Sequence, residues 1–173
     1  LGICLGMQVA IIEYARNVLN LKGANSTEFD QNTKHPVIGL ITEWNDISGK
    51  KEKRDKNSDL GGTMRLGGQL CKLKKGSNSL RMYKNSEIIE RHRHRYEVNP
   101  ALVPDLEAKG LKFVGRNTDS SGERMEVVEI DSSVHPYFIA AQFHPEFTSR
   151  PEKPNPMFLG LLEASKKVSL AKK

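Results

Sequence analysis

The spacing of apolar residues predicts an α-helix near the start of the chain. Apolar side chains recur at near-helical intervals from Leu5 to about Leu19, with polar side chains between them. The members of this stripe are Leu5, Val9, Ile12, Val18 and Leu19. A polar segment rich in turn-forming residues follows at 23–30, and we expect a loop there.

Alternating or continuous apolar runs predict strands over much of the remaining chain. The predicted strands lie at 37–44, at 61–67 and 69–73 as a hairpin-like pair, within 87–98, and at 111–116 and 125–130 joined by a turn at 118–122. The run 137–143 is apolar almost throughout, which is typical of a strand buried on both faces. We expect helices at 104–110, closed by a glycine, and at 157–171.

The composition fits one soluble globular domain. A chain of 173 residues can bury roughly two thirds of its unfolded surface. It has no apolar run near the roughly 20 residues that cross a bilayer, and no basic segment before its apolar start that would make a signal peptide. Its two cysteines, Cys4 and Cys71, fit neither a disulfide framework nor a zinc site. We therefore expect a reducing, cytoplasmic compartment, with Cys71 as a buried core thiol.

The net charge of +6 comes largely from lysines in the segment 50–56 and in the C-terminal tail. We interpret these charges as a solvated loop and tail, with 45–60 a mobile surface loop, and expect no nucleic-acid partner. The competing hypothesis is a basic nucleic-acid-binding module, whose affinity would fall steeply with salt.

A candidate nucleophile lies in the first six residues. Gly2–Gly6 has the pattern G-x-C-x-G and leads directly into the predicted helix. This is the cysteine version of the nucleophile elbow, a strained strand-to-helix turn in which flanking glycines avoid Cβ clashes. The helix N-terminus would favour the Cys4 thiolate. The backbone N–H of Leu5 would point at the developing oxyanion.

A candidate base follows the long apolar run. His144 and Glu146 are two residues apart, and Pro145 biases His144 toward extended backbone, in which both side chains point to one side. The carboxylate can then fix the imidazole tautomer, leaving the other ring nitrogen to take a proton from a thiol. Catalytic sites in open α/β sheets lie beyond the carboxyl ends of the strands, where Cys4 and His144 are both placed.

The basic run from Arg91 to Tyr96 allows three kinds of site: metal, nucleic acid or an acidic ligand group. In a strand, the arginines at 91, 93 and 95 would share one face, and His92, His94 and Tyr96 the other. No neighbouring cysteine or carboxylate clearly completes a metal site, so we expect no metal. An arginine that forks a carboxylate is the favoured interpretation.

Taken together, these motifs resemble the class I, triad-type glutamine amidotransferases. Further motifs narrow the resemblance to the glutaminase domain of the CTP synthases, of the bacterial type. The matching segments are 2–8, 24–29, 61–67, 90–99 and 142–147, within a resemblance that covers nearly the whole chain. It implies an α/β fold of the flavodoxin-like kind, with an open sheet and flanking helices.

The resemblance also implies roles for residues. Cys4 would attack the glutamine side-chain amide to form a thioester, and His144, oriented by Glu146, would move the protons. Glutamine would be bound by the turn formed by Leu5, Gly6, Met7 and Gln8, with Glu28 on its α-ammonium and Arg95 on its α-carboxylate. The ammonia would pass to a synthetase domain that converts UTP to CTP with ATP and Mg²⁺. The glutaminase domain itself would hold no cofactor.

In this family a synthetase domain, the first strands of the glutaminase fold and a second oxyanion donor precede the elbow. We therefore expect residues 1–173 to form the C-terminal part of a glutamine amidotransferase domain whose parent chain assembles as a homotetramer. Losing one oxyanion donor costs about 3–4 kcal/mol, so we expect this polypeptide alone to be inactive or nearly so. A γ-glutamyl hydrolase that transfers no ammonia is the alternative enzyme.

Overall fold

A computed structural model describes residues 1–40, 64–119 and 122–171 of the chain. Several predicted features lie wholly or partly outside these ranges. They are the mobile loop at 45–60, the lysine segment 50–56, the second half of the strand at 37–44, residues 61–63, and the tip of the turn at 118–122. Within the described ranges, no helix combines the length and the apolar character that crossing a lipid bilayer requires.

The described strands form two sheets. The larger has the order β1 (Gly2–Ile3), β9 (Ile139–Ala141), β8 (Gly122–Glu129), β7 (Lys112–Asp119), β4 (Arg65–Leu73) and β5 (Glu87–His94). The smaller has the order β2 (Asn25–Ser26), β3 (Pro36–Leu40) and β6 (Tyr96–Val98). In the larger sheet β1 runs parallel to β9, with Gly2 opposite Ala140, and the other pairings are antiparallel. The carboxyl ends of the parallel strands β1 and β9 therefore lie side by side.

Helices cover both faces of the larger sheet. They are α1 (Leu5–Asn17), α2 (Asn78–Tyr83), α3 (Val103–Ala108) and α4 (Pro156–Ala171). One core cluster joins α1 and α3 to Phe113 and Val128, and the other joins α4 to Val114 and Val127. Because successive strand residues point to opposite faces, these neighbouring pairs place the two clusters on either side of the sheet. The expected open sheet with flanking helices is therefore present.

The predicted face of the first helix is partly wrong. Its buried stripe runs through Met7, Ile11 and Ala15, each fully buried and four residues apart, so that they share one side of α1. Leu5 and Val9 lie on another side and are about half exposed, at 48% and 50%. An apolar side chain at helical spacing does not by itself identify the core-facing side.

Two further predictions need correction. In the described part of the segment predicted as a hairpin at 61–67 and 69–73, residues 65–73 form the one strand β4, which pairs antiparallel with β5 and β7. Gly67 has a φ of +85°, yet the pairing of β4 with β5 continues through it. Helix α2 was not predicted: it is short, and its start is fixed by Ser77, whose side chain accepts from the N–H of Leu80.

Candidate active site

Cys4 lies on a strained turn between β1 and α1. Its φ of +49° is in a region that non-glycine residues rarely occupy, and only a well-determined surrounding structure can hold it there. Its N–H donates to the carbonyl oxygen of Ala141 at 2.7 Å, and its own carbonyl accepts from the N–H of Met7 at 3.0 Å. The turn is therefore fastened to β9 on one side and to α1 on the other, as the predicted elbow requires.

The two glycines of the elbow have different roles. A Cβ on Gly2 would lie 2.8 Å from Cβ of Ala140 and 2.9 Å from the backbone of Gly6, so this position needs a glycine. A Cβ on Gly6 would meet no atom of the described chain within 4 Å. The expectation that both glycines relieve clashes is confirmed for Gly2 and wrong for Gly6.

The surroundings of the Cys4 thiol include features that raise its pKa and features that lower it. Burial is the largest of these and raises the pKa of the thiol, and the charges of Glu146 and Glu28 raise this pKa further. The backbone N–H of Leu5 and the side-chain amide of Gln142 donate to the sulfur and lower the pKa. The net pKa is above the ordinary thiol value. Hydrogen-bond donors that carry no charge are thus what favours the thiolate in this resting structure.

His144 and Glu146 form the expected pair. His144 Nδ1 lies 2.6 Å from Glu146 Oε1, so Nδ1–H donates to the carboxylate and Nε2 is the nitrogen that can exchange a proton with a substrate. The backbone geometry differs from the prediction, because Pro145–Phe147 forms a 3₁₀ turn instead of extended chain. The turn also stacks the ring of Phe147 on His144, with 5.0 Å between ring centroids.

A buried carboxylate that the sequence did not single out holds this turn in place. Glu90 of β5 is 4% exposed and accepts from Tyr83 Oη at 2.8 Å, Asn155 Nδ2 at 2.7 Å and Thr148 Oγ1 at 2.7 Å. One residue further along β5, the carbonyl of Arg91 accepts the N–H of His144 at 2.8 Å. β5 therefore anchors the imidazole through both backbone and side chain.

The Cys4 thiol and the backbone of His144 both contact β5. Cys4 Sγ lies 3.9 Å from the carbonyl oxygen of Arg93, two residues beyond the carbonyl that holds His144. Cys4 directly follows β1. Gln142 and, two residues later, His144 follow the parallel strand β9. The predicted placement of both groups beyond the carboxyl ends of adjacent strands is thus present.

The four residues predicted to bind glutamine at the elbow are not equivalent. Leu5 is half exposed and Gly6 is partly exposed, so both can face a ligand. Met7 is fully buried in the core cluster under α1, so its side chain packs in the interior. Gln8 is 3% exposed, and its side-chain amide is engaged by Tyr96 and Gln142.

The two charged residues predicted to bind the α-groups of glutamine lie on separate segments. Glu28 follows β2, is exposed, and stands close enough to Cys4 for its charge to raise the pKa of that thiol. Arg95 lies between β5 and β6, and its Nε is buried without a hydrogen-bond partner among the described residues. A buried guanidinium nitrogen with no protein partner is suited to an anionic ligand.

The alternation predicted for residues 91–96 holds only as far as His94. Arg91 and Arg93 are exposed, and His92 and His94 are buried, as a strand requires. β5 ends at His94, and Arg95 and Tyr96 are both partly exposed. This break separates Arg95 from the other two arginines and gives it a different environment.

The two histidines have the carboxylate neighbour that the sequence did not show. His92, His94 and Glu126 are buried, with ligand-type atoms within 4.8 Å of one another, so this group could hold a metal ion. The imidazoles contact each other, with His92 Nδ1 2.9 Å from His94 Nε2. Burial, as the largest cause, lowers the pKa of His92 to about 2 and that of His94 to about 3. Both rings are therefore neutral at physiological pH.

Buried ion pairs already balance the charges around these histidines. Arg65 Nη1 contacts Glu126 at 2.6 Å and Glu97 at 3.1 Å, and Arg124 contacts Glu97 at 2.5 Å. Two arginines face two glutamates, so a divalent cation would bring an uncompensated charge into the interior. We interpret this group as a polar network that joins β4, β5, β6 and β8 behind the active site.

The family model for class I glutamine amidotransferases matches residues 1–164. The chain belongs to this family. Among solved structures it is similar to the Trypanosoma brucei CTPS glutaminase domain with bound acivicin, at 39% sequence identity and a TM-score of 0.81. The match covers 96% of this chain and 59% of that chain. The α/β fold predicted from the resemblance is confirmed, and so is the resemblance to a CTP synthase glutaminase domain.

The geometry of this amidotransferase chain suits acyl transfer through a thioester. A cysteine at a helix N-terminus supplies a nucleophile, and an imidazole held by a carboxylate can move protons. The N–H of Leu5 donates to the Cys4 sulfur, so it lies close to the position where the carbonyl oxygen of a substrate would become an oxyanion. Glu90 and Gln142 were missed by sequence reasoning. A polar residue in the apolar run 137–143 was the available signal for Gln142.

Proposed function

We propose that, within its parent protein, this chain hydrolyses glutamine through Cys4, His144 and Glu146 and supplies the ammonia that aminates UTP to CTP. The observation that carries the proposal is that the parallel neighbours β1 and β9 lead to an elbow cysteine and to a histidine held by a carboxylate, and that both residues contact β5. The likeness to a CTPS glutaminase domain with bound acivicin supports glutamine as the substrate and CTP synthesis as the setting.

In the proposed reaction, His144 Nε2 takes the proton of the Cys4 thiol as the sulfur attacks the side-chain carbonyl carbon of glutamine, and the N–H of Leu5 stabilises the oxyanion. His144 donates a proton to the leaving nitrogen as the C–N bond breaks, which releases ammonia and leaves a γ-glutamyl thioester. His144 then takes a proton from water, whose oxygen attacks the thioester. Glutamate leaves, and His144 returns the proton to the Cys4 sulfur.

Substrate binding follows from the charges around the thiol. Arg95, with its unpaired buried Nε among the described residues, would fork the α-carboxylate of glutamine. Glu28 would pair with the α-ammonium. Leu5 and Gly6 would contact the substrate at the turn, whereas Met7 and Gln8 would act by supporting that turn from the interior.

The remaining parts of the proposal concern the parent protein. ATP and Mg²⁺ would serve a synthetase domain of the same parent chain, in a homotetramer. We place the reaction in the cytoplasm, because Cys4 and Cys71 are both free thiols, as in a reducing compartment.

Transfer of labelled nitrogen tests this proposal. The protein expressed from its whole gene is supplied with glutamine carrying ¹⁵N in its side-chain amide, with UTP, ATP and Mg²⁺. We expect glutamate to form and the label to enter the amino group of CTP. Glutamate with the label only in free ammonium would contradict the transfer and favour a γ-glutamyl hydrolase. An absence of glutamate would contradict glutamine hydrolysis.

A further inference from the structure

Gln142 is a polar side chain in the interior. It follows β9 directly, has no exposed surface, and lies between the buried residues Ala141 and Phe143. Burying an amide is unfavourable unless its donors and acceptor find partners. The partners of this amide therefore show what the side chain does.

The orientation of the amide is fixed by a chain of hydrogen bonds. Gln8 Nε2 lies 2.9 Å from the carbonyl oxygen of Tyr96, which can only accept, so this atom is the donor nitrogen of Gln8. The same nitrogen lies 3.2 Å from Gln142, so the atom of Gln142 on that side is its oxygen, Oε1. The amide nitrogen of Gln142 must then face the other way, where it lies 3.6 Å from Cys4 Sγ.

We propose that Gln142 is a positioning residue for the nucleophile, which donates from its side-chain amide to Cys4 Sγ and stabilises the thiolate. This inference rests on the proposed function, since it assigns a role within the same site. The chain of hydrogen bonds begins at the backbone carbonyl of Tyr96, continues through the side chains of Gln8 and Gln142, and ends at the Cys4 sulfur.

The surroundings of the sulfur explain why a neutral donor is needed. Glu146 and Glu28 face Cys4 with negative charge, and burial also disfavours the ionised form. Gln142 and the N–H of Leu5 act in the opposite direction. An amide stabilises a thiolate without adding a cation that would compete for the carboxylate of the substrate or for Glu146.

The backbone of Gln142 places the amide at this point. Its N–H donates to the carbonyl oxygen of Glu126 at 2.9 Å, which ties the end of β9 to β8. The N–H of Cys4 donates to the carbonyl oxygen of Ala141, the residue before Gln142. The donor and the sulfur are therefore attached to the same short stretch of backbone, and their separation does not depend on a loop.

The test is the pH dependence of thiol alkylation in the protein expressed from its whole gene. Iodoacetamide is the probe, and the rate constant at Cys4 is followed by peptide mass spectrometry from about pH 6 to about pH 11.5, so that the midpoint of the rate against pH can be determined. Gln142→Met keeps the length of the side chain and removes the donor, and Gln8 keeps its bond to Tyr96. We expect the pH at which the alkylation rate constant of Cys4 reaches half its maximum to rise by about one unit. A shift of this size corresponds to the free energy of one hydrogen bond to a charged group. Gln69→Met, on β4, is the matched control and should leave the midpoint unchanged.

A second variant covers the case in which Gln142→Met fails to fold. Gln142→Glu keeps the acceptor for Gln8 and places a carboxylate beside the sulfur, so its midpoint should rise at least as far. In either folded variant we expect kcat for glutamine at pH 7.5 to fall about tenfold while KM changes less than twofold.

The outcomes separate this proposal from the proposed function. An unchanged alkylation midpoint in a folded variant overturns the role of Gln142, whatever the glutaminase activity. A shifted midpoint in a protein that hydrolyses no glutamine supports the role of Gln142 and contradicts the proposed function. A fall in kcat with no shift in the midpoint indicates a merely structural role and also overturns the proposal.

Discussion

Replacement of Cys4 by alanine is expected to lower kcat for glutamine hydrolysis by about 10⁴-fold or more. The other cysteine, Cys71, cannot take over the attack, because it lies in the core cluster under α4, where burial raises the pKa of its thiol far above the ordinary value. The elbow itself should survive, since its strain is held by backbone bonds to Ala141 and Met7. Glutamate release by the protein expressed from its whole gene measures the effect.

The control for this variant is Cys71→Ala. Its buried sulfur leaves a small cavity, so the variant should lose some stability but retain kcat within a few-fold. CTP formation from added ammonium chloride should persist in both variants, which shows that the rest of the protein is intact. Glutamine hydrolysis at a near-normal rate by Cys4→Ala would refute the assignment of the nucleophile.

Replacement of His144 by alanine is expected to lower kcat by about 10²–10⁴-fold, the usual contribution of a positioned acid and base. The Nδ1 contact of 2.6 Å with Glu146 leaves Nε2 for proton transfer to the leaving nitrogen. KM for glutamine should change little, because the proposed binding groups are Glu28 and Arg95. Steady-state kinetics from pH 6 to 9 check both values.

Two further variants serve as comparisons for His144→Ala: one should have a smaller effect on kcat and one should have none. Glu146→Gln keeps the shape of the side chain but weakens its hold on the imidazole, so its loss in kcat should be smaller than that of His144→Ala. His135→Ala changes an exposed histidine that, within the described structure, makes no hydrogen bond to His144 or Glu146, and it should leave kcat unchanged. An intact kcat in His144→Ala would show that another group carries the proton.

Local sequence patterns predicted the parts of the site that are close together in the chain. The elbow at Cys4 follows from glycine spacing and helical periodicity, and the pair His144–Glu146 from a separation of two residues around a proline. The structure has both, although the second lies on a 3₁₀ turn. The prediction was argued from extended backbone, so the contact between the two side chains is present but the backbone geometry assumed for it was wrong.

The remaining features depend on contacts between distant segments. Gln142 is 138 residues from Cys4, and Glu90 is 65 residues from Asn155, so no local pattern places either pair in contact. The carboxylate beside His92 and His94 comes from β8, more than 30 residues away. The face of α1 was misjudged for a similar reason, since tertiary packing decides which apolar residues become buried.

The central claim is that Cys4 is the nucleophile of an assembled glutamine site. Its most direct test is the intact mass of the protein expressed from its whole gene after incubation with a glutamine-mimicking diazo-ketone. The account predicts a single adduct that maps to Cys4, with none at Cys71 and none in Cys4→Ala. An adduct at another residue, or no adduct while iodoacetamide still alkylates Cys4, would contradict it.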